Sequence, residues 1–389
     1  MDPRGPVVVV GAGTAGSVVA RTLASSCGRD IIVVEPGGHT DDDNPRFFDQ
    51  VGDATLWPGL PVPQARALGG GSAVNGMILS GEEPGWLAGL TRHARPGEEG
   101  SVGRRLLGLG GRHSRLWWNN GRWNPARAML HEVEEGRLRV VRSTVECLVM
   151  REGHASAVLT AEGEIECGHV VMCAGAVLSP RVLLASGLRG GIGSGLQNHP
   201  TVTFSVRRPD ADLGRFDACV VLDMAEGPAE GLVVAYERMS AADASTGMVT
   251  LSLLNPVSRG AVTADAVDFA MLSADRDAGG LLALVRGFLR AAGGAGVRDF
   301  RDSLGADATE VLSMKDGVAE EWLRANVHAV SHATSSCAAV TNRAGLLEGT
   351  ENVTIADASV LPGIPHETPA ASVTISARRI AAALGGDLS

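Results

Sequence analysis

The sequence predicts an α/β fold in two domains, and three observations lead to this prediction. Residues 7–35 read VVVVGAGTAGSVVARTLASSCGRDIIVVE, which gives a buried strand, a glycine turn, a helix and a second strand in order. The middle third of the chain has a different pattern: segments such as TVTFSV alternate apolar and polar residues, which is typical of half-buried strands. The tail, with VTIADASVLPG and AASVTISARRIAAAL, returns to strand, turn and amphipathic helix. One domain is therefore predicted to use both ends of the chain, with the other inserted.

A glycine turn follows the first strand. Gly11, Gly13 and Gly16 have the G-x-G-x-x-G spacing, which permits a tight turn, a close backbone approach to a pyrophosphate and close packing of helix on strand. The helix start adds N–H groups that bind phosphate. Glu35 ends the second strand, where a carboxylate accepts ribose hydroxyls, and no Arg directly follows it to bind a 2′-phosphate. An adenine dinucleotide site is predicted; the alternative is a tight turn in a nucleotide-free protein.

Composition narrows the class of protein. The chain has 389 residues, enough for two domains, and its formal net charge of −10 argues against nucleic acid or an anionic membrane as partner. The six cysteines form no C-x-x-C pair, which favours a reduced setting. No apolar run reaches the roughly 20 residues of a membrane span, and the start lacks a signal-peptide pattern. We expect a cytoplasmic protein without a membrane span.

The segments after Glu35 are less regular. A second glycine cluster, LGGGSAVNGMILSG over 68–81, lets backbone approach a ligand. Residues 90–115 are rich in Gly and Arg without helix or strand periodicity, which predicts a mobile loop, and a lid is assigned to 82–122.

Regular secondary structure is predicted again after Trp123. Asn124 is predicted to cap a helix that has Pro125 in its first turn, LRVVRSTVECLVM is one of several strands, and PRVLLASG is a short helix. In the middle third, LLALVRGFLRAA is predicted as a helix beside a sheet. We assign 1–198 and 327–389 to the first domain and 199–326 to the inserted one.

Two of the histidine-containing regions stand out. His328 and His332 are four residues apart in NVHAVSHATSSC, and His366 lies in the turn PGIPHETP. An i, i+4 pair can bind a metal ion, but no third ligand is evident locally, so no metal is predicted. Small residues after His332 leave room beside its imidazole; a hydrogen-bonded core histidine is the alternative.

The order of these motifs resembles the glucose–methanol–choline (GMC) oxidoreductase family, whose members bind FAD and commonly oxidise alcohols. GAGTAG with Glu35 resembles the family's FAD βαβ unit, ARALGGGSAVNGM its first signature and CAGAVLSPRVLLASG its second. GSGLQNHP resembles the G-x-x-L-x-D-H-P turn with Asn198 in place of Asp, HATSSC the H-P-x-G-T-C block, and ADASVLP the late flavin-binding turn. The resemblance is weakest in the middle third.

The resemblance implies a fold, an activity and a set of site residues. The fold is a Rossmann-like FAD-binding domain with an inserted α+β substrate domain, and the activity is that of an FAD-dependent alcohol oxidase or dehydrogenase. His332 matches the family's active-site histidine, whose neutral imidazole takes the hydroxyl proton while the carbinol hydrogen leaves as hydride to flavin N5. The implied FAD-binding positions are Gly11, Gly13, Thr14, Ala15, Gly16, Glu35, Gly70, Ser72, Asn75, Gly76, Val145, Ala174, Gly175, Asp357 and Ala358.

Two departures from the family pattern affect the site. The family places a second His or Asn shortly before the closing helix, and counting back from ISARR puts Ala370 there. His366, four residues earlier, takes that role if the turn is shifted. The chain is also shorter than most family members, chiefly after Gly81 and in the substrate domain.

The sequence thus predicts an FAD-dependent oxidoreductase that oxidises a CH–OH group of a small or medium organic substrate, with His332 as base and His366 assisting. The electron acceptor is open between oxygen, a quinone, a carrier protein and a redox-active peptide cofactor. The alternatives are a flavin-retaining lyase, isomerase or dehydratase of natural-product biosynthesis, and a non-catalytic flavin-binding protein. An NAD-dependent dehydrogenase leaves the second glycine signature and ADASVLP unexplained.

Overall fold

The computed structural model describes residues 4–52, 55–81, 83, 85, 89–208, 210–243, 245–294, 300 and 303–388. Its strands are β1 (Val7–Val10), β2 (Ile31–Val34), β3 (Ile78–Leu79), β4 (Arg92–His93), β5 (Arg112–His113), β6 (Arg115–Leu116), β7 (Leu138–Val141), β8 (Val145–Arg151), β9 (His154–Thr160), β10 (Gly163–Glu166), β11 (His169–Met172), β12 (Ser194–Leu196), β13 (Thr201–Arg207), β14 (Ala218–Glu226), β15 (Ala229–Tyr236), β16 (Thr246–Leu253), β17 (Gly260–Val262), β18 (Val267–Asp268) and β19 (Val353–Ile355). Its α-helices are α1 (Thr14–Ser26), α2 (Gly71–Val74), α3 (Ser101–Gly108), α4 (Pro125–Glu134), α5 (Gly175–Ala185), α6 (Asp275–Ala292), α7 (Ala306–Val311), α8 (Asp316–Asn326) and α9 (Ala370–Leu388).

A five-stranded parallel sheet, ordered β19-β11-β1-β2-β7, carries the predicted nucleotide site. The four valines of β1 are almost completely buried, because layers cover both faces of the sheet. Helices α1 and α9 pack on one face, where Leu23 and Ile380 belong to one apolar cluster. The three-stranded sheet β10-β9-β8 covers the other, where Leu148 joins Val8 and Val10 in one cluster. The two ends of the chain therefore build one sheet, as the sequence predicts.

Two predicted elements differ in extent. LRVVRSTVECLVM is not one strand: β7 joins the parallel sheet and β8 the antiparallel one, with a break over 142–144. Helix α5 begins at Gly175, five residues before the predicted start at Pro180. The helix cap at Asn124 is confirmed, because its side chain accepts the N–H of Ala126.

A second five-stranded sheet, ordered β13-β16-β15-β14-β5, holds most of the middle third. Its paired strands are antiparallel, and α6 packs on one face through residues such as Leu284 and Phe288. Strand alternation places Thr203, Tyr236 and Thr250 on the opposite face, where all three are half-buried. This face is one wall of the candidate site described below.

The prediction that residues 90–115 lack regular structure is wrong. They contain α3, two strands of a small sheet and β5, which extends the second sheet. Buried Glu237 accepts the N–H groups of Gly100 and Val102 at the start of α3, and Val102 and Leu106 are fully buried. The glycines and arginines of the segment obscure its short amphipathic helix.

Truncation of Leu106 tests this correction. Leu106→Ala should lower the free energy of unfolding by about 2–5 kcal/mol, because it empties a packed core position. Leu90→Ala is the matched control, since Leu90 is exposed in the same segment and should cost no more than about 0.5 kcal/mol. Urea unfolding measures both, and equal small effects would restore the loop interpretation.

Domain boundaries at 198/199 and 326/327 stay a prediction, and β5 shows that the segment before residue 123 also contributes to the second sheet. Of the predicted lid, residues 82, 84 and 86–88 lie outside the described residues. Within the described chain, no helix combines the length and the apolar character needed to cross a membrane.

Candidate active site

The first set of predicted cofactor residues forms a turn with no room for side chains. Gly11 has a φ of +96°, and a Cβ at Gly16 would lie 1.9 Å from the carbonyl oxygen of Gly11. Helix α1 begins after Gly13 with no side-chain cap among the described residues. The turn therefore presents the backbone N–H groups of Thr14 and Ala15 to a ligand.

The second glycine cluster packs directly on the first. Gly70 has a φ of +53°, and a Cβ on it would lie 2.7 Å from the Cα of Gly13. The N–H of Ser72 donates to Oγ1 of Thr14 at 3.2 Å, and the Ser72 hydroxyl donates to the carbonyl of Gly69 at 2.6 Å. Four residues predicted separately from two motifs thus meet in one cradle.

Glu35 is buried beside this cradle. Its two carboxylate oxygens accept the N–H groups of Ala12 at 3.0 Å and Gly37 at 2.7 Å. Burial raises the pKa of Glu35, and the two N–H donors act in the opposite direction. Val145 lies in the same apolar cluster as Val34, the neighbour of Glu35. Each carboxylate oxygen retains a lone pair for a ribose hydroxyl.

Glu35→Ala should weaken FAD binding by about 10–100-fold, because hydrogen bonds to a charged group contribute about 1.5–3 kcal/mol. Reconstitution of apoprotein with FAD, followed by flavin fluorescence, gives the Kd. Glu146→Ala, which removes an exposed glutamate of β8, is the control. A Kd equal to that of the control would contradict a ribose contact.

Asp357 joins the start of α5 to the turn after β19. One carboxylate oxygen accepts the N–H of Gly175 at 2.8 Å and the Ser179 hydroxyl at 2.5 Å; the other accepts the N–H and hydroxyl of Ser359 at 2.8 and 2.6 Å. Oγ of Ser179 also accepts the N–H of Ala174 at 3.0 Å. Since the carboxylate binds Gly175, α5 begins there, earlier than the local sequence predicts.

The HATSSC segment is tied to the same turn. Pro180 has no N–H, so the carbonyl of Ala176 lacks its usual donor within α5. The hydroxyl of Ser336 donates to that carbonyl at 2.6 Å. The N–H of Ser335 donates to the carbonyl of Ala358 at 3.0 Å. His332, three residues before Ser335, is thereby anchored next to the predicted cofactor turn.

His332 faces a second histidine. Its Nδ1 lies 3.0 Å from Nδ1 of His199, and the two rings are perpendicular with centroids 5.2 Å apart. Nε2 of His199 lies 3.0 Å from the carbonyl oxygen of Pro365. Burial lowers the pKa of His199 to about 3 and that of His332 to about 4. Both imidazoles are therefore neutral at pH 7.

Two short segments hold the rings in this arrangement. Residues 197–201 run antiparallel to 328–334 through backbone bridges near both ends. Between these bridges, Nδ2 of Asn198 donates to the carbonyl of Val330 at 2.6 Å. The histidine pair therefore rests on backbone pairing between distant parts of the chain.

The other predicted histidines lie elsewhere. Nδ1 of His366 is 2.9 Å from Oε2 of Glu230, and both side chains are exposed. Ala370 is the first residue of α9 and packs against the core. Nε2 of His328 lies 3.3 Å from the hydroxyl of Thr203. The ring that hydrogen-bonds to His332 is thus His199, and an assisting role for His366 stays a prediction.

Among the described residues, no three His, Cys, Asp or Glu side chains are grouped as metal ligands would be.

Asn75 and Gly76 lie between a buried cation and two aromatic rings. Nη1 of Arg122 donates to the carbonyl of Asn75 at 2.6 Å and to its Oδ1 at 3.0 Å. Burial lowers the pKa of Arg122 to about 10, so the guanidinium is still charged at pH 7. A Cβ on Gly76 would lie 3.8 Å from the Phe47 ring and 3.9 Å from the Tyr236 hydroxyl.

Sequence reasoning missed three residues of this site: His199, Arg122 and Tyr236. His199 lies in GLQNHP, and nothing in this motif alone indicates that its histidine meets His332. Tyr236 is the single tyrosine of the chain and ends a predicted strand. Nothing local distinguishes Arg122 from the other arginines.

The cradle fits an adenine dinucleotide. Glycines occupy positions where a Cβ would clash with backbone atoms, and α1 begins directly after Gly13 without a side-chain cap among the described residues. Glu35 follows the last residue of β2. The neutral histidine pair fits a site that accepts a proton. Fold and site together fit a protein that binds an adenine dinucleotide.

Comparison with known proteins gives the family. Two family models described as GMC oxidoreductase match residues 99–201 and 244–377, together more than half of the chain. The chain belongs to the GMC oxidoreductase family, and it is accordingly an FAD-dependent oxidoreductase with a Rossmann-like FAD-binding domain. The predicted family, fold class and cofactor are confirmed.

Several relatives match over almost their whole length. The chain is 23% identical to 5-(hydroxymethyl)furfural oxidase of Methylovorus sp. strain MP688, covering 97% of this chain and 98% of that protein. Its structure resembles pyridoxine 4-oxidase from Mesorbium loti with a TM-score of 0.83 at 18% identity, covering 97% and 98%. A fungal aryl-alcohol oxidase gives a TM-score of 0.74 at 15% identity, covering 98% of both. At these identities the two structures show the fold alone.

Proposed function

We propose that this protein oxidises a CH–OH group of a small or medium organic substrate, with His332 as the proton acceptor. The observation that carries the proposal is the position of His332. Its ring is neutral and hydrogen-bonded to His199 through Nδ1, and its backbone is tied through Ser335 to the cofactor turn at Ala358. This position supports a role for His332 as a proton acceptor beside the predicted FAD-binding residues.

The chemistry divides between cofactor and protein. Nε2 of His332 would take the hydroxyl proton as the O–H bond of the substrate breaks. Bound FAD would supply the two-electron acceptor for the carbinol hydrogen and its electron pair. Because the pKa of His332 is lowered to about 4, the ring is ready to accept this proton at neutral pH.

Aromatic alcohols are the first substrates to test. Phe47 and Tyr236 have centroids 5.8 Å apart in an edge-to-face arrangement, and both lie against Gly76 of the first signature. Such rings favour an aromatic substrate. The names of the relatives, a hydroxymethylfurfural oxidase, a pyridoxine oxidase and an aryl-alcohol oxidase, support the same choice.

Anaerobic mixing of the purified holoenzyme with 5-(hydroxymethyl)furfural, pyridoxine and benzyl alcohol tests the proposal. We expect the flavin absorption band to bleach as the aldehyde forms in equal amount. The methyl ether of benzyl alcohol is the control, because it has no hydroxyl proton to lose. An alcohol that is dehydrated, isomerised or cleaved while the flavin stays oxidised would instead identify a lyase or isomerase. Oxygen and quinones added afterwards identify the electron acceptor.

A further inference from the structure

We propose that His199 is the positioning residue of this active site and fixes the tautomer in which His332 accepts a proton. The proposal rests on the proposed function. This chain has Ala370 where a second His or Asn is expected before the closing helix, and the side chain that hydrogen-bonds to His332 is His199 from the GLQNHP turn. His199 comes from a segment 133 positions earlier in the chain than His332.

The hydrogen-bond partners of His199 determine which nitrogens carry protons. Its Nε2 lies 3.0 Å from the carbonyl oxygen of Pro365, and a carbonyl can only accept. Nε2 of His199 must therefore carry a proton. A neutral imidazole has one ring proton, so Nδ1 of His199 is an acceptor.

The protonation of the His332 ring follows from that of His199. Nδ1 of His332 is 3.0 Å from Nδ1 of His199, so the single proton between them belongs to His332. Nε2 of His332 is then left with its lone pair. That is the tautomer a general base needs if substrate approaches Nε2. A neutral imidazole without such partners can carry its proton on either nitrogen.

Gln197 and Asn198, the two residues before His199, fix the backbone at both ends of this chain of hydrogen bonds. Oε1 of Gln197 accepts the N–H of Ile364 at 3.0 Å, which fixes the backbone next to Pro365. Nδ2 of Asn198 donates to the carbonyl of Val330, two residues before His332. An aspartate at 198 has no N–H to donate in this way. The replacement of Asp by Asn198 therefore fits the arrangement.

The surroundings of His199 favour this neutral starting state. Its side chain is completely buried, and burial lowers its pKa most; the rings of His332 and His366 act in the same direction, and the carbonyls of Pro365 and Leu254 act against them. After His332 has accepted a proton at Nε2, its Nδ1–H becomes a charge-assisted donor to His199. His199 thus stabilises the protonated base without contacting the substrate.

The tautomer is measurable without any substrate. Nitrogen-15 NMR of the holoenzyme with labelled histidine should show His332 protonated at Nδ1 and unprotonated at Nε2. In His199→Ala the Nε2–H tautomer should appear. His199→Asn, whose Oδ1 can accept the same proton, should restore the wild-type pattern. His131 lies on the exposed side of α4, so His131→Ala is the control. It identifies the signal of a histidine outside the site and should leave the tautomer of His332 unchanged.

Activity gives the second measurement. With a substrate that bleaches the flavin, His199→Ala should slow flavin reduction by roughly 10²–10⁴-fold, the scale of a base held in the wrong tautomer. KM should change little, and His199→Asn should recover much of the rate. A wild-type His332 protonated at Nε2 would overturn the proposal, as would His199→Ala with the wild-type tautomer and rate. The wild-type spectrum decides the question even if His199→Ala does not fold. If the tautomers are as expected but no alcohol reduces the flavin, the proposed function fails and only the tautomer assignment stands.

Discussion

Replacing His332 by alanine should lower the rate of flavin reduction by roughly 10²–10⁴-fold, the scale of losing a positioned general base. FAD should stay bound, because the side chain of His332 takes no part in the glycine cradle or the Asp357 turn. Stopped-flow absorbance under anaerobic conditions measures the rate, and flavin content per protein measures retention. A wild-type rate with an authentic substrate would make His332 a structural histidine.

The pH dependence provides a check on the same residue. The base works when unprotonated, and the pKa of His332 is lowered to about 4. The rate attributable to His332 should therefore be nearly constant from pH 8 to about pH 5 and fall as the pH approaches 4. A base with the ordinary histidine pKa near 6.5 would lose activity from about pH 7 downward. His366→Ala should change the rate less, since its ring bonds to exposed Glu230.

Asp357→Ala should have the largest effect on stability, about 3–5 kcal/mol in the free energy of unfolding. The substitution removes the acceptor of four hydrogen bonds and leaves the donors of Gly175, Ser179 and Ser359 unpaired, and each buried unpaired group costs about 1–3 kcal/mol. Some donors will find new partners, which keeps the total below the sum. Urea unfolding of the apoprotein measures the change.

The same variant should also release FAD, because the start of α5 and the turn at Ala358 lose their common anchor. Asp387→Ala, in the exposed end of α9, is the matched control and should change neither property. Asp357→Asn should lie between, since an amide supplies one acceptor oxygen but adds two N–H donors where donors already point. A stability loss below about 1 kcal/mol in Asp357→Ala would show that the carboxylate is not the anchor.

The features that the sequence predicts correctly are those set by residues close together in the chain. The β1 turn, the Asn124 cap and the closing helix each depend on residues close together in the chain, and each is present. The glycine cradle is also predictable from the local sequence, because a Cβ at Gly16 or Gly70 would clash with backbone atoms. Their backbone constraints can be read without knowing the rest of the fold.

The parts that could not be predicted depend on distant residues. Helix α5 begins where Asp357 accepts its first N–H, and α3 begins where Glu237 does the same for Gly100. The partner of His332 comes from a turn at the start of the second sheet, and no local pattern in either segment specifies that meeting. The periodicity of a sequence indicates which face of a helix or strand is apolar. It does not indicate which distant side chain will contact that face.

The position of β19 has a consequence for biosynthesis. This strand begins at Val353 of a 389-residue chain and pairs with β11, while α9 after it covers α1. At about 5–20 residues per second, a ribosome reaches β19 on the order of 20–70 seconds after making β1. During that interval one edge of β11 lacks its neighbour and the apolar side of α1 is uncovered. Nascent chains should therefore depend on chaperones during that interval, and cofactor loading should follow the synthesis of β19.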